Sequence, residues 1–360
     1  MIFYQLFESE SSTYTYLLGD EKSKEAVIID PVLETIDRDL NLINELGLKL
    51  NFVLDTHVHA DHVTAAGTIR QRLAGRVKTA VSSRAGVECI DVGLEDGQVI
   101  DFGKHRIKVI ATPGHTNSCL SFYLSAEDLG ESSGMVFTGD ALLIRGTGRT
   151  DFQNGSSAVL FESVTRNLFA LPEGTRVYPA HDYKGHTVSS IREERLFNPR
   201  LGGGKSKDQF IKLMSELNLT QPKKIHEALP ANLSCGKRGS VFQARTENGI
   251  PEITVEDLNK AMATPEWKTQ KVRLIDVRRP DEYNGEFGHI AGAELLTLGA
   301  DLQAFIDAGD SSEEIVFICR SGGRSGQATE YAGSKGYKKV FNMRGGMIRW
   351  SELKLSAVKS

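Results

Sequence analysis

The sequence predicts an α/β protein built from two domains. Short apolar runs typical of buried strands alternate with helical patterns along most of the 360 residues. Residues 236–251 break this alternation, because they are polar, contain three glycines and a proline, and show no periodicity. We therefore expect a layered α/β domain over residues 1–235, a linker over 236–251 and a smaller α/β domain with a parallel sheet over 252–360.

The first domain contains apolar runs that end in an acid or a histidine. Strands are predicted over 26–30, 51–55, 107–111, 135–140 and 176–181, with helices over 37–46 and 63–73. In the second domain, strands are predicted over 272–277, 315–318 and 339–341, and a helix over 325–333.

Composition excludes several classes of protein. The net charge of −4 gives no reason to expect a nucleic acid or an anionic membrane as partner. No apolar run approaches the ~20 residues that span a bilayer, and residues 1–8 do not resemble a signal peptide. The four cysteines are far apart and form no CxxC pair. We therefore expect no disulfide framework, and a reducing, cytoplasmic location.

Metal-ligating residue types are concentrated in the first domain. Three histidines and an aspartate lie within six residues directly after the strand 51–55, and three further ligand types end later strands. Imidazole and carboxylate groups bind zinc and iron. The sequence therefore predicts a metal site formed from His57, His59, Asp61, His62, His115, Asp140 and His181.

The order of these ligands resembles the metallo-β-lactamase superfamily, which implies an αββα sandwich. The segments 138–153, 180–185 and 193–200 resemble the persulfide dioxygenase family more specifically, although Thr147 stands where some members have cysteine. That resemblance implies one Fe(II) per chain, held by His57, His115 and Asp140 as a facial triad with open positions. It also implies that glutathione persulfide and O₂ give sulfite and glutathione.

In this interpretation the other four residues orient ligands and water through hydrogen bonds; they are His59, Asp61, His62 and His181. A glyoxalase II-like thioesterase is the alternative. It would use all seven residues to bind two metal ions that share Asp140, so the ligand inventory alone does not exclude hydrolysis.

The two carboxylates of glutathione require cationic and phenolic partners at the site mouth. Arg149, Tyr183 and Lys184 follow ligand-bearing strands and are the candidates, with Arg145 as a weaker one.

A cysteine loop carries the chemistry of the second domain. Cys319 follows the strand 315–318 directly, and a Gly-rich loop with Arg320 and Arg324 leads into a helix. Backbone N–H groups, the helix N-terminus and the arginines would stabilise a thiolate. The spacing from Cys319 to Arg324 is one residue shorter than the Cys-x5-Arg loop of cysteine phosphatases, which favours a smaller cargo than a phosphate ester.

Residues 252–355 resemble the rhodanese family. The resemblance implies that Cys319 accepts a sulfane sulfur from thiosulfate as a persulfide and passes it to glutathione. The whole chain resembles bacterial persulfide dioxygenase–rhodanese fusions, with sulfite and O₂ as further small-molecule partners. A sulfur-carrying or redox-sensing module with a structural metal is a third hypothesis. The sequence is compatible with a homo-oligomer and fixes neither the oligomeric state nor the direction of sulfur transfer.

Overall fold

The computed structural model describes all residues except 88, 218–219, 221–223, 237–241, 243–244, 248, 265–266, 268–271, 312 and 360. The chain forms two compact units, Met1–Gly239 and Ser240–Ser360. The division falls inside the segment 236–251 that the sequence predicts as a linker.

Two six-stranded sheets form the first unit. The first has the strand order β1-β2-β3-β4-β5-β6 and the second the order β12-β11-β10-β9-β8-β7. The strands of the first sheet are β1 (Ile2–Glu8), β2 (Thr13–Gly19), β3 (Glu25–Ile29), β4 (Lys49–Leu54), β5 (Lys78–Ser82) and β6 (Val92–Leu94). Those of the second are β7 (Val99–Phe102), β8 (His105–Ala111), β9 (Leu120–Leu124), β10 (Met135–Gly139), β11 (Arg176–Pro179) and β12 (Ser189–Ser190).

The first unit also contains helices. They are α1 (Ile36–Glu45), α2 (Ala66–Arg72), α3 (Ala126–Leu129), α4 (Ser157–Ser163), α5 (Ile191–Phe197), α6 (Lys207–Ser215) and α7 (Ile225–Leu233). One buried cluster joins the inner faces of the two sheets, for example Tyr16 and Phe137. Separate clusters pack α1 and α2 on the first sheet, and α4, α5 and α6 on the second. This αββα arrangement agrees with the predicted fold class.

Strand direction brings the candidate ligands to one edge of the sandwich. β3, β4 and β5 run parallel, as do β10 and β11. The carboxyl ends of parallel strands meet at a common edge, so the segments after β3, β4, β10 and β11 can converge there.

The second unit has α helices on both faces of one sheet. Its strand order is β13-β14-β18-β17-β15-β16, parallel except for the β13–β14 hairpin. The strands are β13 (Arg245–Glu247), β14 (Ile250–Thr254), β15 (Val272–Asp276), β16 (Glu294–Leu295), β17 (Glu314–Ile318) and β18 (Lys339–Arg344). The helices are α8 (Val255–Met262), α9 (Pro280–Tyr283), α10 (Ala300–Ala308), α11 (Gly323–Ser334) and α12 (Gly346–Glu352).

The burial of β17 shows why a short apolar run predicts a strand in this unit. All five of its residues are buried, because α8 and α12 pack on one face of the sheet and α10 and α11 on the other. The segment 236–251, predicted as an irregular linker, contains β13 and the start of β14. These strands are too short to produce a visible alternation.

The cysteine prediction needs a correction. Cys89 and Cys235 form a disulfide, with their Cα atoms 5.9 Å apart, whereas Cys119 and Cys319 are free and buried. The sequence separation of 146 residues hides this pair, because only the fold returns the end of α7 to the loop after β5. In the part of the chain that the structure describes, no helix is long and apolar enough to cross a membrane.

Candidate metal centre and cysteine loop

Three candidate ligands converge after β4, β8 and β10. One ligand atom from each of His57, His115 and Asp140 lies within 4.8 Å of the other two. The distance from His115 Nε2 to Asp140 Oδ2 is 3.6 Å. The sequence predicted these three residues as a set, and the structure brings them together.

Hydrogen bonds on their far sides fix how these ligands face the centre. The Thr56 hydroxyl donates to Asp30, so its oxygen accepts from His57 Nδ1 at 3.0 Å. His115 Nδ1 donates to the Arg149 carbonyl at 2.6 Å. Both imidazoles therefore keep the Nε2 lone pair for a metal, the arrangement that hydrogen-bonded ligands in metalloproteins show. These donors fit a resident metal ion.

The ionisation states also suit a metal. Burial, with the neighbouring His59 and His115, holds the pKa of His57 well below its usual value, so the ring is neutral. Burial alone would raise the pKa of Asp140, but the adjacent His181 outweighs it and keeps this carboxyl ionised. A neutral imidazole and a carboxylate are the forms that bind metal ions without releasing a proton.

The other four predicted residues form a second group beside the first. Ligand atoms of His59, Asp61, His62 and His181 lie within 4.8 Å of one another. His59 Nδ1 and His62 Nε2 are buried and have no hydrogen-bond partner in the described part of the chain. This group therefore has the donor types for a second ion.

The His181 side chain links the two groups. Its Nδ1 lies 2.6 Å from Asp140 Oδ1 and its Nε2 lies 2.8 Å from Asp61 Oδ2. A carboxylate can only accept a hydrogen bond, so each ring nitrogen of His181 donates one. In this arrangement His181 bridges two carboxylates, one from each group.

Two residues that the sequence analysis missed hold the segment after β4. Asp30, at the end of β3, accepts hydrogen bonds from the Thr56 backbone N–H at 2.7 Å and from His59 Nε2 at 3.1 Å. Asn232 on α7 donates to the carbonyls of His59 and His62 and accepts from the Thr64 N–H. Asp30 ends an apolar run and could have been suspected, whereas no local signal marks Asn232.

Close packing around the centre requires glycine at two positions. Gly139 has φ +53°, and a Cβ atom there would lie 2.8 Å from the Thr56 side chain. A Cβ atom on Gly148 would lie 2.7 Å from His115 Nδ1. Both contacts are shorter than carbon atoms tolerate, so these glycines let the segments around Asp140 approach the histidines.

A pocket of about 570 Å³ opens beside the centre. His115, Asp140, Asp61 and His181 line it, and so do all four predicted mouth residues: Arg145, Arg149, Tyr183 and Lys184. The volume is within the range of small-molecule sites.

The predicted mouth residues differ in how freely they could meet an anion. Arg149 donates to both carboxylate oxygens of Asp151, and Arg145 pairs with Glu194. Lys184 is exposed, and Tyr183 is 72% exposed with its ring parallel to that of His181. Lys184 and Tyr183 are therefore better placed for a substrate than the two arginines.

Arg200 lines the same pocket and was not predicted. Its guanidinium donates to the Thr147 carbonyl at 2.6 Å and pairs with no carboxylate among the described residues. Partial burial lowers the pKa of Arg200, although a guanidinium stays charged at neutral pH. A half-buried cation without a counter-ion is a natural receptor for an anionic ligand.

In the second unit, Cys319 lies where the sequence placed it, between β17 and α11. Its Sγ accepts a hydrogen bond from the Gly322 N–H at 3.1 Å and lies 3.1 Å from the Ser325 Oγ. The thiol is 1% exposed. The Gly322 N–H of the loop and the Ser325 hydroxyl at the start of α11 are therefore the groups directed at the sulfur.

The two arginines of this loop have different environments. Arg324 forms two hydrogen bonds with Glu282 of α9, which lowers the pKa of that carboxyl to about 2. Arg320 lies over the Phe287 ring, with its guanidinium carbon 5.4 Å from the ring centroid. The charge of Arg324 is thus largely balanced, and Arg320 has no carboxylate partner in the described part of the chain.

Comparison with known proteins matches each unit to a protein family. Residues 9–181 match the metallo-beta-lactamase superfamily, and residues 254–353 match the rhodanese-like domain. The human protein named persulfide dioxygenase ETHE1, mitochondrial, is 50% identical over 232 residues, which are 64% of this chain and 87% of the human one. The chain belongs to the persulfide dioxygenase family.

A solved structure agrees with this family membership, and a hydrolase is a less similar relative. The crystal structure of ETHE1 from Myxococcus xanthus is 53% identical, with a TM-score of 0.61, and the match covers 66% of this chain and all of that one. A hydroxyacylglutathione hydrolase of Mesorhizobium japonicum is 33% identical over 63% of this chain and 84% of its own. The lower identity to the hydrolase parallels the local sequence differences, and the prediction of a dioxygenase–rhodanese fusion is confirmed.

Proposed function

We propose that the first unit of this persulfide dioxygenase family member oxidises glutathione persulfide with one iron per chain. The overall reaction balances as GSSH + O₂ + H₂O giving GSH, sulfite and two protons. The observation that supports it is the triad His57–His115–Asp140, in which two imidazoles and one carboxylate present one lone pair each. Iron held by two histidines and one carboxylate supplies open positions for O₂ and the persulfide sulfur and the electron transfer between them.

The chain's own residues would bind and orient the substrate. Arg200 and Lys184 offer positive charge to the two carboxylates of the glutathione moiety, and the Tyr183 hydroxyl offers a hydrogen bond. Asp61 and Asp140 hold His181 between them, and this keeps the Asp140 carboxylate oriented. Binding the remote carboxylates fixes the sulfur beside the triad, which is how positioning lowers a barrier.

For the second unit we propose sulfur transfer between thiosulfate and glutathione through Cys319. The Cys319 thiolate forms a bond to the sulfane sulfur, while the S–S bond of thiosulfate breaks and sulfite leaves with the electron pair. A glutathione thiolate then takes the terminal sulfur and Cys319 leaves as thiolate. The Gly322 N–H and the Ser325 hydroxyl support the sulfur in both steps.

A binuclear thioesterase is the second candidate for the first unit. The unpartnered His59 Nδ1 and His62 Nε2 favour it, because they could hold a second ion. In the one-metal interpretation His181 instead orients Asp140, a role that its contacts with Asp61 and Asp140 suit.

Metal content and O₂ consumption test this choice. We expect one iron per purified chain and O₂ uptake with glutathione persulfide. His57→Ala should lose the iron and the O₂ uptake, whereas His186→Ala, an exposed histidine outside both groups, should keep both. Two zinc ions per chain, hydrolysis of a glutathione thioester and no O₂ uptake would overturn the dioxygenase proposal.

A further inference from the structure

A row of three hydrogen-bonded side chains runs from the Cys319 thiol to the other side of β18. Ser325 Oγ lies 3.1 Å from Cys319 Sγ and 2.6 Å from Asn342 Oδ1. Asn342 Nδ2 lies 2.8 Å from Glu252 Oε1. Ser325 and Asn342 are buried, and Glu252 is half-buried on β14. We call Ser325, Asn342 and Glu252 the relay.

The Ser325 hydroxyl has too few hydrogens for its two neighbours. A hydroxyl carries one hydrogen, but Asn342 Oδ1 and a Cys319 thiolate would both need it. When Cys319 is a thiol, its S–H can donate to Ser325 Oγ while Ser325 donates to Asn342. When Cys319 is a thiolate, the Ser325 hydrogen must turn to the sulfur, and Asn342 Oδ1 then has no donor.

Glu252 fixes the orientation that creates this competition. An ionised carboxylate only accepts hydrogen bonds, so the Asn342 NH₂ group must face Glu252. The Asn342 oxygen therefore faces Ser325. Without the negative charge, the amide could turn over and donate to Ser325 instead.

We propose that Glu252 and Asn342 are positioning residues that set the acidity of the Cys319 thiol through the Ser325 hydroxyl. The inference rests on the proposed role of Cys319 as the sulfur-accepting nucleophile. The cost of turning the Ser325 hydrogen from Asn342 to the sulfur is part of forming the thiolate that attacks the sulfane sulfur.

The relay also acts in the return step. When glutathione takes the terminal sulfur, Cys319 leaves as a thiolate that receives the Ser325 hydrogen bond. On protonation, the thiol donates to Ser325, and the Ser325 hydrogen returns to Asn342. A buried oxygen left without a donor is unfavourable, so the relay favours this reset.

Other charged groups near Cys319 do not depend on the relay. Arg324 is paired with Glu282, and Arg320 lies over Phe287. On β15, Asp276 is paired with Arg278, and on α12, Arg349 is paired with Glu256. A change of Glu252 to an uncharged residue leaves these groups in place, so its effect on Cys319 can be assigned.

The test is the pH profile of Cys319 alkylation by iodoacetamide in the full-length protein, followed by mass spectrometry of the Cys319 peptide. In Glu252→Gln we expect the apparent pKa of Cys319 to fall by about one unit, so that alkylation on the acid side is about tenfold faster. The acid limb of kcat/KM for thiosulfate should move in the same direction. Glu330→Gln removes one negative charge from an exposed position of α11 outside the relay, and should leave the profile unchanged.

A double variant separates the relay from simple loss of charge. Ser325→Ala should raise the apparent pKa of Cys319, because the thiolate loses a donor, and adding Glu252→Gln should then have no further effect. An unchanged profile in Glu252→Gln, or the same shift with and without Ser325, would refute the relay. Sulfur transfer that persists in Cys319→Ser would refute the proposed function instead, and Cys319→Ser is therefore measured in parallel.

Discussion

Arg200 shows how the partners of a charged side chain decide its role. Arg145, Arg149 and Arg200 line one pocket, but only Arg200 has no carboxylate partner in the described part of the chain. Arg149 is neutralised by Asp151, two residues later in the sequence. An anionic substrate gains most from a cation that is already partly desolvated and not yet paired.

We therefore predict that Arg200→Gln weakens substrate binding. A lost hydrogen bond between charged groups corresponds to about a tenfold increase in KM for glutathione persulfide, with kcat nearly unchanged, because the contact is remote from the reacting sulfur. O₂-uptake kinetics measure both constants. Arg200→Lys should recover part of the affinity, and the exposed Arg166→Gln should behave as wild type. An unchanged KM in Arg200→Gln would remove this residue from the substrate site.

Ligand type and strand position in the sequence were enough to select seven residues that lie together in the structure. The seven metal-ligating candidates form the two adjacent groups, because each follows a strand that ends at the same edge. The pairing of Arg149 with Asp151 and the isolation of Arg200 depend on side-chain directions, which spacing alone does not give.

At the scale of elements, α7 acts as a brace for the segment that carries His57, His59 and His62. The Asn232 side chain makes three hydrogen bonds to this segment, across 168 to 173 residues of sequence. Three residues later, Cys235 is joined to Cys89 and so holds the end of α7 against the loop after β5. A rigid support of this kind keeps metal ligands in a fixed geometry.

We predict that Asn232→Leu lowers metal affinity. The leucine is similar in size but leaves two buried carbonyls and one N–H unsatisfied, so the segment should move and iron affinity should fall by about 10- to 100-fold. Competition with a chelator measures this, and circular dichroism verifies the fold. The exposed neighbour Leu233→Ala is the control. Unchanged iron affinity in a folded Asn232→Leu protein would contradict the bracing role.

Helices and strands with a local sequence pattern could be predicted, whereas contacts between distant segments could not. β4, β10, β15 and β17 contain short apolar runs, and the sequence predicts the positions of these strands closely. The Cys89–Cys235 disulfide and the Asn232 contacts join segments that are distant in sequence. No periodicity marks such pairs, and they become visible only when the fold brings α7 back beside the segment after β4.

At the scale of the whole molecule, each unit has its own buried core, so each should keep its chemistry when the other is inactivated. We predict that Cys319→Ser loses sulfur transfer from thiosulfate to glutathione and keeps O₂ uptake with glutathione persulfide, and that His57→Ala has the reverse phenotype. Loss of both activities in a folded Cys319→Ser protein would contradict this independence.

Glutathione persulfide, the product proposed for the second unit and the substrate proposed for the first, allows a stronger test of this independence. Thiosulfate and glutathione together should drive O₂ uptake in the wild type, because in the proposed functions the second unit produces the persulfide that the first consumes. Neither Cys319→Ser nor His57→Ala should do so alone. An equimolar mixture of the two variants should restore O₂ uptake, since glutathione persulfide is a small molecule that leaves one chain and reaches another. If the mixture stays inactive while each variant keeps its own half-reaction, the persulfide passes between the two sites of one chain without entering solution.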